Sequence, residues 1–148
     1  MHGNTCFFIG HHDAPESIYP ALLTQVERHI TEYAVTEFFV GRYGAFDRMA
    51  ARAVRTVKAC HPGATLTLLL PYHPSTYKPA QAADFANFDG TYYPAGLESV
   101  PRRYAIVRAN RAMAEQCTHL IAYLHYSSGN TSAIVNYARR QGAHITAL

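Results

Sequence analysis

The stretch TEFFVGRYGAFDRMAARAVRTVKA, Thr36–Ala59, decides the fold. Its first part, Thr36–Gly41, is β-branched and aromatic, which predicts a strand. Gly41–Asp47 (GRYGAFD) is a glycine-punctuated loop. From Arg48 to Ala59 the apolar residues Met49, Ala53, Val54 and Val57 recur at helical spacing on one face. A strand that passes through a short glycine turn into an amphipathic helix is half of a βαβ unit, and such units build parallel sheets covered by helices.

The same plan repeats on both sides. Thr5–Gly10 (TCFFIG) is a first strand, followed by a helix on which Ile18, Leu22, Leu23, Val26 and Ile30 share a face, with Pro20 in its first turn. Ala64–Pro71 (ATLTLLLP) is a third strand, and its continuous apolar run predicts burial on both faces. Tyr72–Leu97 is less regular and reads as a long loop with a short helix near Ala80–Asn87 and a short strand at GTYYP; so long a loop is more often a binding element than idle chain. Pro101–Gln116 is helical, His119–His125 is a strand, Asn130–Gln141 is the last helix, and AHITAL is a closing strand. The expected fold is α/β, a Rossmann-like three-layer sandwich with a mostly parallel sheet of five or six strands.

The 148 residues are 49% hydrophobic and 16% charged, enough for one core and one domain over 1–148. A formal charge of +3, spread over several segments, gives no concentrated basic stripe, so nucleic acid is not expected as a partner. Three separated cysteines, Cys6, Cys60 and Cys117, form neither a disulfide framework nor a CxxC knuckle. This fits a reducing cytoplasm. With no secretory leader and no apolar run near ~18 residues, the expectation is a soluble, cytoplasmic, unprocessed protein without a membrane partner.

In an open parallel sheet the loops leaving the strand carboxyl ends line one edge, and ligands bind where strand order reverses. Four polar loops therefore belong together: GHHDAPES with Gly10, His11 and Asp13; GRYGAFD with Gly41, Arg42, Gly44 and Asp47; PYHPSTYKP; and YSSGNTS with Ser127, Ser128, Gly129, Asn130 and Thr131. The last turns into a helix N-terminus, where backbone N–H groups and the helix dipole favour an anion; turning and capping the chain is the other reading of these hydroxyls. Asp47 either caps its helix or holds a hydroxyl pair of a ligand. Gly41 and Gly44 form neither the GxGxxG fingerprint nor a Walker A loop. His11, His12 and Asp13 lack the i, i+4 spacing of a helical metal site, and no metal or cofactor is expected. His29, His61, His119 and His144 read as surface or boundary residues. Tyr43, Tyr72 and His73 are placed to stack on a base. Arg108 and Arg111 lie three apart, so one can face the crevice while the other is solvated.

The segments FFIGHHD, FFVGRYGAFDRMAARAV, LLLPYHP and RANRAMAEQCTHLIAYLHYSSGNTSAIVNYARRQG resemble, in order and spacing, the SLOG superfamily, the Rossmann-like group that includes DprA and the LOG phosphoribohydrolases. The resemblance is nearest to its small stand-alone bacterial members and weakest over 77–100. It is carried by Gly41, Gly44 and Asp47, by Arg108, Asn110 and Arg111, and by Gly129 and Thr131. It implies binding of a nucleotide or nucleotide-derived molecule, with Ser127 to Thr131 matching the phosphate turn and Arg111 the arginine of the preceding helix. The LOG motif PGGxGTxxE is not kept: Ile134 stands where its glutamate would be, and no carboxylate lies between Tyr126 and Leu148. A hydrolase would need a carboxylate from elsewhere, with Asp13, Glu16 or Asp47 available.

Three functions follow as expectations: a nucleotide-binding sensor or sequestering protein; an N-glycosidase, phosphoribohydrolase or deoxyribosyltransferase-like enzyme using Asp13 or Asp47; and a nucleic-acid module, against which the modest charge argues. A homo-oligomer is compatible with the aromatic residues Tyr92, Tyr93 and Tyr104.

Overall fold

A computed structural model describes residues 4–124 and 129–148. In chain order they form β1 (Asn4–Gly10), α1 (Tyr19–Thr31), β2 (Val35–Val40), α2 (Ala45–Lys58), β3 (Thr65–Leu69), α3 (Pro79–Ala82), β4 (Gly90–Tyr92), α4 (Ala105–Gln116), β5 (His119–Tyr123), α5 (Asn130–Arg140) and β6 (His144–Ala147). The six strands make one sheet in the order β4-β3-β2-β1-β5-β6, and every pairing is parallel. The architecture is α/β and Rossmann-like, with a sheet more uniform than the mostly parallel one expected.

Side-chain alternation along the central strands divides the core. Cys6 and Phe8 of β1 face α1 and α2, packing with Leu22, Val26, Phe46, Met49 and Val54. Phe7 and Ile9 point the other way, onto Ala109 and Met113 of α4 and Ile134, Val135 and Ala138 of α5. This period of two on a strand buried from both sides explains why β1 is an unbroken apolar run. α2 is short-sided and alanine-rich, with Ala50 and Ala53 wholly buried, so it lies close against the sheet.

Three expectations shift. The helix after β2 begins at Ala45, so Asp47 sits in its first turn instead of the loop. β3 buries Leu66, Leu68 and Leu69 but leaves Thr65 and Thr67, which share one face of the strand, partly open. His29 is not a boundary residue: it is wholly buried, filling the position one turn beyond Leu22 and Val26 on the inward face of α1. Its ring sits among Tyr33, His119 and His144, with the His119 centroid 5.5 Å away. Of the last two, His119 is half-buried and His144 exposed, as expected of boundary or surface residues.

The irregular segment between β3 and α4 is built, not loose. α3 runs on into a 3-10 turn at Ala83–Asn87, and β4 follows. Arg42 lies over the rings of Tyr77 and Phe85, both 5.2 Å from its guanidinium, and Arg102 covers Tyr72 at 3.9 Å. Asp89 ties the segment to β3 by accepting from the Leu66 N–H at 2.7 Å and from Lys58 at 2.6 Å.

β1 joins β5 across 113 residues through paired threonines: the Thr5 N–H donates to Thr118 Oγ1 at 2.8 Å, and that hydroxyl donates to the Thr5 carbonyl at 2.9 Å. Between β1 and β5 the strand order reverses direction, since β2 to β4 extend one way and β6 the other. The loops beyond these two strands part there and leave a crevice.

Candidate functional site

The crevice at the carboxyl edge has a volume of about 200 Å³. Gly10 and His12 reach it from the β1 loop, Gly41, Tyr43 and Asp47 from the β2 loop and α2, and Asn130 and Thr131 from the start of α5. Ile106, Val107 and Asn110 of α4 close the remaining side over the apolar floor of Phe8, Ile9 and Ile134. The lining is polar and apolar in nearly equal share, and an apolar floor beneath convergent polar groups is a form that small-molecule sites take.

Two loops are locked together to make it. The Ala45 N–H donates to the His12 carbonyl at 2.8 Å, and a Cβ on Gly44 would lie 2.5 Å from His12 Cα. Glycine is demanded at 44 by this approach of one backbone to another. At Gly129 the demand is conformational: φ is 105°, and the next residue opens α5.

The two helix N-termini at the crevice differ. The first turn of α2 contains its own acid, Asp47, whose Oδ2 accepts from the Tyr43 N–H at 3.1 Å. The first turn of α5 contains no acid, and its last turn carries Arg139 and Arg140. The positive end of the α5 dipole therefore meets the crevice without a carboxylate of its own helix to offset it. Asp47 keeps part of its surface open, lining both the crevice and the shallower depression beside it, yet its carboxyl is walled by protein. Burial pushes it up to about 6, against the smaller opposing effects of the Tyr43 N–H and Arg48. A carboxyl so poised can exchange a proton near neutral pH or hold a hydroxyl pair.

Of the site residues expected from the sequence, Gly10, Gly41, Asp47, Asn130 and Thr131 line the crevice, Gly44 braces it and Gly129 turns the chain into α5. Ser127 and Ser128, with His125, lie outside the described residues. Arg42 turns away, donating to the Gln81 carbonyl at 3.2 Å and to Asp84 at 3.3 Å. His11 packs its ring edge against Tyr123, and Asp13 is exposed off the crevice, so Asp47 is the one of the two catalytic candidates that lines it. Neither Arg108 nor Arg111 lines the crevice; Arg111 lies 4.3 Å over the Tyr137 ring on the outer side of α4, and Asn110 is the residue of that motif that faces in. Asn110 and His12 stood in stretches singled out from the sequence but were not among the expected site residues, and Val107 was not singled out at all. Among the described residues, no three metal-ligating side chains cluster and no helix is long and apolar enough to cross a membrane.

The α/β Rossmann-like fold is one that solved structures of other proteins share. Neither a family model nor a curated protein matches the sequence. Among solved structures, DNA processing protein A (DprA) from Streptococcus pneumoniae superposes with a TM-score of 0.70 at 14% identity, over 98% of this chain and 50% of DprA. The Moco carrier protein of Chlamydomonas rheinhardtii superposes with a TM-score of 0.56 at 12% identity, over 100% of this chain and 77% of the carrier. The chain thus spans half the length of the DprA structure, and at these identities the likeness is one of fold.

Proposed function

We propose that this protein binds a nucleotide or nucleotide-derived small molecule in the crevice, as a cytoplasmic sensor or sequestering protein. The observation that carries the reading is the meeting of an α5 N-terminus free of acids in its first turn with the walled carboxyl of Asp47 in one hollow. A phosphate suits the first, a ribose diol the second, and the exposed ring of Tyr43 offers a base a stacking face. The Moco carrier is, by its name, a carrier of a small molecule, which accords with a binding role on this fold. Calorimetric titration with the nucleoside monophosphates tests it. At least one is expected to bind, with affinity falling about ten- to a hundredfold in Thr131→Val, the cost of one lost hydrogen bond to a charged group. No heat with any of them, at protein concentrations in the hundreds of micromolar, would remove the reading.

A second reading is favoured by the raised carboxyl of Asp47: hydrolysis or transfer at the N-glycosidic bond of a nucleoside monophosphate, with Asp47 as acid, base or stabiliser of the oxocarbenium-like centre. It predicts release of free base that disappears in Asp47→Asn while binding persists. Absence of base release from any monophosphate that binds leaves the sensor reading.

A further inference from the structure

A second concavity adjoins the crevice. It is an open groove of about 950 Å³ on the outer side of α4, and Val107 and Asn130 line both spaces. Arg103, Arg108 and Arg111 line the groove, all three exposed, and among the described residues none of them makes an ion pair. The acid in the groove, Glu115, is engaged by the Tyr137 hydroxyl. Cations are therefore in excess there, and two of them lie beside aromatic rings: Arg103 is 4.9 Å from the Tyr104 centroid and Arg111 4.3 Å from that of Tyr137.

An independent observation marks the same place. Among the described residues, the large hydrophobic side chains that stay exposed are Tyr43, Tyr104 and Val107, at 42%, 54% and 40%. Tyr43 stands in the crevice, Tyr104 in the groove, and Val107 on the ridge between them. Large exposed apolar groups drawn to one region mark a binding surface more than scattered ones do. An aromatic face beside a guanidinium is a general means of holding a base and its phosphate together.

From this we infer that the ligand has two nucleotide halves: one in the crevice, the other lying over Val107 into the groove, its base on Tyr104 and its phosphate at Arg103 and Arg108. The ligand class is a dinucleotide, and the inference rests on the proposed nucleotide reading of the crevice. A single nucleotide fills the first space and leaves the second empty; a linked pair gains the second contact without a second loss of translational freedom.

The test compares the four nucleoside 5′-monophosphates with the matching linear 5′-phosphorylated dinucleotides by calorimetry, on the wild type, Tyr104→Ala and the double variant Arg103→Ala/Arg108→Ala. These side chains are exposed, and circular dichroism checks that the variants fold. At least one dinucleotide is expected to bind about tenfold or more tightly than its monophosphate, a gain of the size of one charge-assisted contact. Both variants should lose that gain and keep the monophosphate affinity. A monophosphate that binds as well as its dinucleotide overturns the inference and leaves the crevice reading intact. A gain that survives in the double variant also overturns it. Binding of neither ligand removes both. A ten-nucleotide single strand that binds more tightly than every dinucleotide overturns it in favour of a strand-binding surface.

Discussion

The backbone of Gly44 stands so close to that of His12 that a methyl group at 44 would lie 2.5 Å from His12 Cα. This contact, with the Ala45 N–H to His12 carbonyl bond, is what sets the β1 loop against the start of α2 and so brings His12 and Asp47 into one wall.

Gly44→Ala should therefore destabilise the protein by about 1–3 kcal/mol, the cost of forcing backbones apart in a close-packed place. Urea denaturation checks it. Since Gly44 has extended backbone that any residue adopts, the loss reports crowding and not conformation. Stability equal to wild type would mean that the two loops separate freely.

Asp47→Asn should stabilise the fold at pH 8. The carboxyl is raised to about 6 by burial, so its favourable contribution is complete below the unfolded-chain value near 4 and is lost as pH rises through 6. At pH 8 the walled anion costs up to about 3 kcal/mol, which the neutral amide avoids while still accepting from the Tyr43 N–H. A fall in stability at pH 8 would show that the ionised form is the one the fold accommodates. A costly charge kept in a crevice is a common mark of function over stability.

His29 has the opposite sign. Burial lowers it to about 4, helped by His119, His144 and Arg28 and against its hydrogen bond to the Gln25 carbonyl at 2.7 Å. The unfolded chain takes up a proton near 6.5 that the folded ring refuses, so stability is full above 6.5 and is lost as pH falls towards 4, by up to about 3 kcal/mol. Over the range from about 6 to 4 the Asp47 and His29 effects oppose each other, with His119, also lowered by burial, on the side of His29. Thermal melts across that range should show a steeper acid loss in Asp47→Asn than in the wild type, and a gain on acidification relative to wild type in His29→Leu. Parallel profiles in all three proteins would contradict both assignments.

Arg42→Ala should leave nucleotide binding unchanged at the crevice and loosen the segment from Tyr77 to Phe85. Its guanidinium sits on two rings and an acid, contacts worth about 0.5–2 kcal/mol. Limited proteolysis should cut the variant faster in that segment. Loss of binding with unchanged proteolysis would make Arg42 a ligand contact instead.

The strand and helix order was legible because each element declares its period: Phe7, Ile9 and Phe8 alternate across a buried strand, and Met49, Ala53, Val54 and Val57 recur along one helix face. The glycine loops and Asp47 could be placed at the crevice because parallel topology puts every such loop on one edge. What local pattern could not supply was direction. Arg42 turns outward because Asp84 waits 42 residues further on, and no spacing near Arg42 announces it. His29 did carry a signal, since Leu22, Val26 and His29 share the inward face of α1, but a polar ring is more often found at the surface and so masks its position. Asn110 is likewise placed by helix phase: Ala105, Ala109 and Met113 are buried against the sheet, so Asn110 stands at the edge of that ridge while Arg108 and Arg111 fall on its outer side.

The seam between Thr5 and Thr118 has a kinetic meaning. Strands β1 to β4 pair in chain order, each joined to the next by a single crossover, but β5 must find β1 across 113 residues. Contacts of such separation form late, because the chain entropy of closing them is spent before the pairing rewards it. Both walls of the crevice meet only when that seam closes. A chain still emerging from the ribosome, with β5 not yet made, holds four of the six strands and only part of the crevice wall, so a ligand can act only on the completed fold and would slow its unfolding without hastening its formation.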